Sequence, residues 1–474
     1  MSEPRDRIDD WLTREVEPLP PPPGTFERIS RRARRQKARR AAVSAAGVAV
    51  VIGVAAAVPG IVSAVRGGGH QPAAPVAANS PQATPHPTVT SQGTGRVSAQ
   101  SSSPVTVAPS AASLLNGGPV PANFQPTSVT FIGAHTGAVI GQAGTAGACS
   151  SRYCTSLAGT MDYGQKWFGV SAPQTGAPDG ASGVGQLRFL NDHYGWAFGP
   201  QLWVTDDAGA HWAQEPTDGM RVTDLETADG RAFALFATCT GSGAQFGAQC
   251  SRVSLYTSVA GTDRWQRVPG PTADLPQAGT GQAASASLVL AGSHGYLLAP
   301  SGQLFSGPLT GAAWTMADVQ APCSTGPPGP GGQPTDALLA AGSGQLILVC
   351  NSATSTGSDT QTKTVMQSSN GGTSWSTAGD APSSGIATSV AAAQGNLVVL
   401  ATDSGLYLSG NGGTSWQLAE TSPPGAAAGQ QGFSYVGMTS DTNGVALPAD
   451  PSLHEVYITT NGGSSWQPHS VSSS

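Results

Sequence analysis

Carboxylates and arginines are the side chains of this 474-residue chain whose types suit hydrolysis of a glycosidic bond. That reaction needs two carboxylates held roughly 5–9.5 Å apart across a cleft. The glutamates of the C-terminal part are Glu215, Glu226, Glu420 and Glu455, and none of them is adjacent to a tyrosine in the sequence. The residue pattern therefore predicts no catalytic residue.

Arg188 and three aspartates are the remaining candidates for a charged site. Arg188 lies in a segment predicted to be an innermost strand, and Asp192, Asp224 and Asp441 are each predicted to follow a first strand. These three could point towards the mouth of a central channel, but aspartates beside strand ends are typical of solvated turns, so we expect them to be surface turn residues. The scattered histidines and the lack of a nucleophile elbow also argue against a Ser-His-Asp hydrolase.

Six cysteines lie in the C-terminal part and form three pairs of near neighbours, which indicates an oxidising compartment. They are Cys149, Cys154, Cys239, Cys250, Cys323 and Cys350. Fifteen pairings are possible, and nearest-neighbour disulfides are favoured because each would staple one hairpin or repeat junction. Buried free thiols are the alternative. Because there is no CxxC motif and no histidine at a fixed spacing from these cysteines, we predict no metal site and no other cofactor.

A repeated string that ends in tryptophan organises the C-terminal part. Its five clear copies are TMDYGQKW at 160–167, TDDAGAHW at 205–212, SSNGGTSW at 368–375, SGNGGTSW at 409–416 and TTNGGSSW at 459–466. Two degenerate copies end at Trp265 and Trp314, and successive terminal tryptophans are 45, 53, 49, 61, 41 and 50 residues apart. This is the period of a propeller blade. With four short strands in each unit, residues 127–474 are predicted to form an all-β, seven-bladed β-propeller.

The string fits [ST]-x-[DN]-x-G-x-x-W and resembles the Asp box, or BNR repeat, of sialidases, sortilin-type receptors, certain xyloglucanases and Ycf48-like photosystem assembly factors. In such a turn between the third and fourth strands, the Asp or Asn side chain accepts backbone N–H groups and the glycine adopts positive φ. The resemblance implies an architectural role, away from the ligand, for Asp162, Gly164, Trp167, Asp207, Gly209, Trp212, Asn370, Gly372, Trp375, Asn411, Gly413, Trp416, Asn461, Gly463 and Trp466.

The same resemblance bears on catalysis. Sialidases with this box carry an arginine triad, a Tyr and Glu pair and an early Arg-Ile-Pro motif, and no Arg-Ile-Pro occurs here. Xyloglucanases of this type place two propellers across one cleft, whereas this chain has one predicted propeller. By analogy with the sortilin-like and Ycf48-like proteins, the favoured function is a non-catalytic binding or assembly platform. A glycoside hydrolase of the exo-sialidase or glucanase type is the alternative.

The N-terminal part predicts a membrane anchor. Residues 41–65 carry no charge and are long enough to cross a bilayer as a helix, and RRARRQKARR precedes them at 31–40. The positive-inside rule then gives a cytoplasmic basic tail at 1–40, a transmembrane helix at 41–65 and, on the other side, a disordered Pro/Ser/Thr-rich stalk at 66–126. A cleaved signal peptide is the alternative, although the leading segment is too long for one.

The charge of the remainder restricts its partners. From residue 127 onward there are 9 Lys and Arg against 21 Asp and Glu, an excess of 12 negative charges that would repel nucleic acid. The predicted partners are the membrane, through the anchor, and an extracytoplasmic protein or glycan ligand. A sensor that signals through residues 1–40 is a further alternative.

The long connections between predicted strands indicate where the ligand binds. They span 141–156, 171–185, 238–252, 269–284, 320–335, 351–363 and 421–432. Each is assigned either to the connection between the second and third strands of a blade or to the connection that leads to the next blade. Both kinds emerge on one face, which is therefore the predicted binding face.

Overall fold

The computed structural model describes residues 117–133, 135–143, 154–176, 183–239, 250–262, 264–275, 286–317, 323, 337–342, 344–351 and 360–472. Within them the chain forms seven four-stranded antiparallel sheets, each built from four consecutive strands in simple up-and-down order. The predicted all-β seven-bladed propeller is confirmed. The tail 1–40, the span 41–65 and most of the stalk lie outside the described residues, among which no helix is long and apolar enough to cross a membrane.

The first four blades contain sixteen strands. Blade 1 has β1 (Gln125–Phe131), β2 (Gly137–Ala143), β3 (Cys154–Thr160) and β4 (Phe168–Val170). Blade 2 has β5 (Gln186–Phe189), β6 (Gly195–Phe198), β7 (Leu202–Thr205) and β8 (Ala213–Gln214). Blade 3 has β9 (Arg221–Ala228), β10 (Arg231–Cys239), β11 (Cys250–Val259) and β12 (Gln266–Asp274). Blade 4 has β13 (Ser287–Ala291), β14 (His294–Leu298), β15 (Leu304–Pro308) and β16 (Thr315–Met316).

The last three blades follow the same order. Blade 5 has β17 (Ala337–Gly342), β18 (Gln345–Asn351), β19 (Lys363–Ser368) and β20 (Ser376–Ala381). Blade 6 has β21 (Ala387–Ala392), β22 (Val398–Thr402), β23 (Gly405–Ser409) and β24 (Gln417–Thr421). Blade 7 has β25 (Phe433–Met438), β26 (Gly444–Pro448), β27 (Glu455–Thr459) and β28 (Gln467–Ser470). Short 3₁₀ turns lie at Gln394–Asn396 and Pro451–Leu453.

The hydrophobic core is divided among the interfaces between blades. Seven clusters of buried side chains each combine residues of two neighbouring blades, so every adjacent pair of blades, including the seventh and first, shares one. Second strands such as β22, with all five residues buried, are covered on both faces. A strand buried on both faces is apolar along its whole length, which explains runs such as VVLAT at 398–402.

The ring closes by packing rather than by exchanging a strand between its ends. Val139 of blade 1 shares a core cluster with Val456 and Ile458 of blade 7. His454 Nδ1 lies 2.8 Å from the carbonyl oxygen of Phe124, just before β1. Residues before the predicted boundary at 127 therefore contribute to this seam, and the amide of Gly169 in β4 also donates to Gly118 O at 2.7 Å.

Strand order gives the ring two different faces. The loop face carries the connections from the second to the third strand of each blade and from the fourth strand to the next blade. The box face carries the remaining turns, including the seven that end in tryptophan. Each of the seven long segments predicted from the sequence spans a loop-face connection, although residues 269–274 of one segment belong to β12. The connections around 421–432 and 360–363 are described, whereas much of the other long segments lies outside the described residues.

Candidate functional site

A charged cluster lies where innermost strands line the central channel. Arg188 in β5 donates from Nε to Glu226 Oε1 in β9 at 3.0 Å. Its Nη1 donates to Leu187 O at 2.8 Å and to Ser128 Oγ in β1 at 3.4 Å. Arg188 was correctly expected in an innermost strand, and this position directs it at the neighbouring first strands.

The ion pair is enclosed by protein but open to the channel. The side chains of Arg188 and Glu226 keep 14% and 30% of their accessible surface. Burial alone would lower the pKa of Arg188, but the negative charges of Glu226 and Asp224 raise it well above its usual value. Arg188 is therefore a permanent cation whose charge Glu226 offsets.

Asp224 extends the cluster to a fourth blade. Its Oδ1 accepts the amide of Leu225 at 2.9 Å, and its Oδ2 accepts the amide of Leu288 in β13 at 3.0 Å. Burial and the neighbouring charge of Glu226 raise the pKa of Asp224 to about 7, although Arg188 and the two amides act in the opposite direction. A carboxyl with this pKa is partly protonated at neutral pH and can act as an acid.

The expectation that Asp224 is a solvated turn residue is wrong, because it lies inside β9. The bulge in the β9–β10 register lies beside it, and a register change of this kind is not visible in the sequence. Asp192 and Asp441 do lie in turns after first strands: Asp192 is 3.6 Å from His193 Nε2, and Asp441 accepts the amide of Gln394 at 3.0 Å.

The glutamates predicted as candidates do not converge on one place. Glu226 belongs to the channel cluster, whereas Glu215 is buried beyond β8. Glu420 is the last residue but one of β24 and Glu455 is the first residue of β27, and both lie at the loop-face end of the seam between blades 6 and 7. No glutamate has a tyrosine neighbour in the sequence, yet Tyr435 of β25 joins the charged cluster in space. Tyr435 meets Arg188 only because the ring closes, so no spacing in the sequence indicates this contact.

The five clear box turns share one hydrogen-bond pattern. In the turn after β7, Asp207 Oδ1 accepts Thr205 Oγ1 at 3.0 Å and the amide of His211 at 2.8 Å, and the amide of Gly209 donates to Thr205 Oγ1 at 2.9 Å. The turns around Asp162, Asn370, Asn411 and Asn461 repeat these bonds within about 0.3 Å, as expected for identical local geometry. Each turn is thus closed by its own side chains.

The box glycines bring neighbouring blades together. Gly372 has φ of +88°, and a side-chain carbon added there would lie 2.2 Å from Leu304 Cδ2 of the preceding blade. Gly164, Gly209, Gly413 and Gly463 also have positive φ and face aliphatic side chains of the blade before. The terminal tryptophans differ in burial: Trp167, Trp314 and Trp466 are buried, whereas Trp212, Trp265, Trp375 and Trp416 are half-buried.

Covalent links hold two of the long loop-face connections. Disulfides join Cys239 to Cys250 and Cys323 to Cys350, as the nearest-neighbour rule predicted. The first closes the β10–β11 connection at its base, and the second ties the connection that enters blade 5 to the end of β18. Cys149, the predicted partner of Cys154, lies outside the described residues.

Lys363 makes a third link on the loop face. It is completely buried at the start of β19, and its Nζ donates to Gln361 O at 3.0 Å, Pro382 O at 2.8 Å and Ser384 O at 3.3 Å. Burial lowers the pKa of Lys363 to about 8, and Asp403 opposes that shift. At neutral pH the ammonium group therefore has one carbonyl for each of its three donors, and it joins the β18–β19 connection to the one that enters blade 6.

The described residues contain no group of three or more His, Cys, Asp or Glu side chains placed to hold a metal ion. No family model matches the sequence, and no curated protein matches it.

Solved structures with a similar backbone are propellers or contain them. A structure of YCF48 bound to D1 peptide is 16% identical, covers 73% of this chain and 93% of that one, and has a TM-score of 0.42. An ancestral GH74 enzyme is 14% identical over 75% of this chain, which spans about half, 47%, of the enzyme, with a TM-score of 0.49. The β-propeller domain of the Trilobed protease from Pyrococcus furiosus is 8% identical, covers 73% and 95%, and has a TM-score of 0.43. None of these likenesses assigns an activity or a ligand to this chain.

Proposed function

We propose that this protein is a non-catalytic binding or assembly platform whose ligand surface is the loop face. The observation that supports it is the one-sided placement of long connections, which all emerge on that face while the box turns are short and self-contained. Long loops that are held at their bases are the usual way in which a rigid propeller presents a recognition surface. Here the two disulfides and the hydrogen bonds of the buried Lys363 ammonium group hold the loops at their bases.

The proposal includes the predicted topology. Residues 41–65 would anchor the chain, residues 1–40 would lie in the cytoplasm, and the propeller would lie outside with its protein or glycan ligand. The Cys239–Cys250 and Cys323–Cys350 disulfides support an oxidising compartment for the propeller. Protease added to intact spheroplasts should remove the propeller and leave a small membrane-bound fragment. A soluble, N-terminally trimmed protein released from untreated cells would contradict the anchor.

Site-specific photocrosslinking in cells tests the binding face. A photoreactive phenylalanine analogue is placed in the full chain at Ala428 or Gln430, exposed positions on the loop face, and in separate variants at Ala210 or Lys166, exposed positions on the box face. The loop-face variants should give discrete crosslinked products, and the box-face variants should not. Products from Ala210 or Lys166 alone would overturn the assignment.

One observation favours a second candidate, hydrolysis of a glycosidic bond. Asp224 and Glu226 are two residues apart in β9, so both carboxylates lie on the same face of the strand, and glycosidases use a pair of neighbouring carboxylates. The pKa of Asp224 near 7 suits a general acid. Fluorogenic sialosides and β-glucosides test this candidate. Turnover that disappears in Asp224→Asn would support it, and equal signals from both proteins would remove it.

A further inference from the structure

Two glutamates and a tyrosine meet at the loop-face end of the seam between blades 6 and 7. The β23–β24 register pairs Glu420 with Leu406, and Leu406 belongs to the core shared with blade 7, so Glu420 lies on the side of its sheet that faces blade 7. Tyr457 of β27 belongs to the same core, and Glu455 is two residues before it on the same face of the strand. Facing sheets therefore direct all three side chains into one recess.

The hydroxyl of Tyr457 has no hydrogen-bond partner among the described residues. The side chain is only 3% exposed, and its ring packs edge-on against Phe433 with 5.0 Å between centroids. The hydroxyl oxygen is not one of the fully buried, unpartnered polar atoms of the described residues, so the small exposed part of this side chain is its polar end, where a ligand can reach it. Burial and the charges of Glu455 and Glu420 raise the pKa of Tyr457 to about 12.

Blades 6 and 7 supply no Lys or Arg to the two carboxylates. Lys363 is the last Lys or Arg in the sequence, so blades 6 and 7 contain neither residue from 364 to 474, although that stretch has six acids. No ion pair of Glu420 or Glu455 occurs within the described part of the chain. Burial raises the pKa of each, opposed by the Thr421 amide at Glu420 and by His454 at Glu455. Partly buried carboxylates without a cation are left with an unbalanced desolvation cost.

The rim of the recess is built by hydrogen bonds. Asp450 is buried and accepts the amide of Ala427 at 2.8 Å, which ties the connection from β24 to the one before β27. The amide of Gly432 donates to Ser422 Oγ at 2.8 Å. These bonds hold both connections that flank the recess, so it is preorganised before any ligand arrives.

We infer that this recess binds a cationic side chain, the guanidinium or ammonium group of a protein ligand, between Glu420 and Glu455 with the Tyr457 hydroxyl as an additional hydrogen-bond acceptor. A guanidinium group fits best, because its planar fork offers donors in two directions to carboxylates on facing sheets. The inference rests on the proposed function for the source of this group, a protein bound at the loop face.

Ligand-observed NMR titration of the purified full chain tests the recess directly, with Nα-acetyl-arginine amide as the probe. Its uncharged isostere, Nα-acetyl-citrulline amide, is the control ligand. The arginine probe should bind saturably and at least tenfold more tightly than the citrulline probe. Glu420→Gln combined with Glu455→Gln should weaken the arginine probe at least tenfold. Tyr457→Phe, which keeps the ring in the core, should weaken it about threefold, the loss of one hydrogen bond.

The control variant combines Asp206→Asn with Asp229→Asn, two exposed turn aspartates on the box face, and it removes the same net charge. It should leave the affinity within twofold. Equal weakening in both double variants, or no saturable binding of the arginine probe, would overturn the inference. So would tight binding of Ca²⁺ alone that displaces the probe. Crosslinks on the loop face without binding of the arginine probe would refute the recess but leave the loop face as the binding face. Binding of the probe without crosslinks on the loop face would refute the binding face alone.

Discussion

Arg188 of blade 2 lies over the ring of Tyr435 in blade 7, with 5.9 Å between the guanidinium carbon and the ring centroid. The same guanidinium donates to Ser128 of blade 1 and to Glu226 of blade 3. This one cation thus has contacts in its own blade 2 and in blades 1, 3 and 7. Blades 7 and 1 lie on opposite sides of the seam where the ring closes. In a ring whose ends exchange no strand, a shared polar contact of this kind adds to the apolar packing of the seam.

Arg188→Ala should therefore lower stability well beyond the loss of one surface contact. It leaves Glu226 enclosed without its cation, and removal of one partner from a buried pair costs about 3 kcal/mol or more. Urea unfolding of the full chain measures the change. The matched control is Arg252→Ala, since Arg252 Nε is also 3.0 Å from its partner, Asp274, but both side chains are exposed. The control should lose less than about 1 kcal/mol, and equal losses in both variants would contradict the role of Arg188 in joining the blades.

The raised pKa of Asp224 predicts a pH dependence of stability. The folded-state pKa of about 7 is above the unfolded value of about 3.9. The contribution of Asp224 is therefore fully present below pH about 4 and is lost as pH rises towards 7. The unfolding free energy of the wild type, relative to Asp224→Asn, should fall between pH 4.5 and 7 and then stay level.

The Asp207→Asn variant is the comparison, because the contribution of Asp207 to stability should change with pH in the opposite direction. Burial alone would raise the pKa of Asp207, but hydrogen bonds from His211 and Thr205 lower it below its usual value. Its contribution is present above pH about 4 and disappears as pH falls through the lower folded value. A stability difference that rises with pH for Asp224 as well would show that its carboxyl is not disfavoured in its charged form.

The sequence predicted the architecture because each blade repeats one local signal. The box turn is closed by bonds within a few residues, so its tryptophan marks a blade wherever it occurs. The strands between the tryptophans, the loop-face assignment and two disulfides followed from that count. These features depend on residues that are close in the chain.

The charged sites depend on contacts that cross the ring, and they were not predictable. Tyr435 meets Arg188 only because the seventh blade returns to the first. Lys363 looks like an ordinary polar residue at a strand start, yet carbonyls of two connections enclose it. Asp224 was expected to follow the first strand of its blade, but β9 continues past it to Ala228. The spacing of these residues in the sequence does not indicate any of these contacts.

The box turn after β27 separates the contribution of packing from that of turn closure. Trp466 is buried at 2% exposure, so Trp466→Ala should cost about 3–5 kcal/mol through a cavity. Asn461→Ala removes the acceptor that closes the same turn and should cost about 0.5–2 kcal/mol. Trp416, in the equivalent turn of blade 6, is half-buried, and its loss should fall between these values. Thermal melts of the three variants give the order, and a larger effect of Asn461→Ala would reverse the roles assigned to them.

Lys363→Met tests whether the buried ammonium holds the loop face in place. Methionine fills a similar volume but removes the ammonium donor from the carbonyls of Gln361, Pro382 and Ser384, and the loss of a partner to a buried acceptor costs about 1–3 kcal/mol. The variant should lose at least about 2 kcal/mol of stability, whereas Lys166→Met, at an exposed position, should stay within about 0.5 kcal/mol. Hydrogen exchange should rise first at the amides of Gln361 and Ala387, which bond across the same two connections. Uniform exchange throughout blade 5 would instead mean that Lys363 supports the sheet and not the loops.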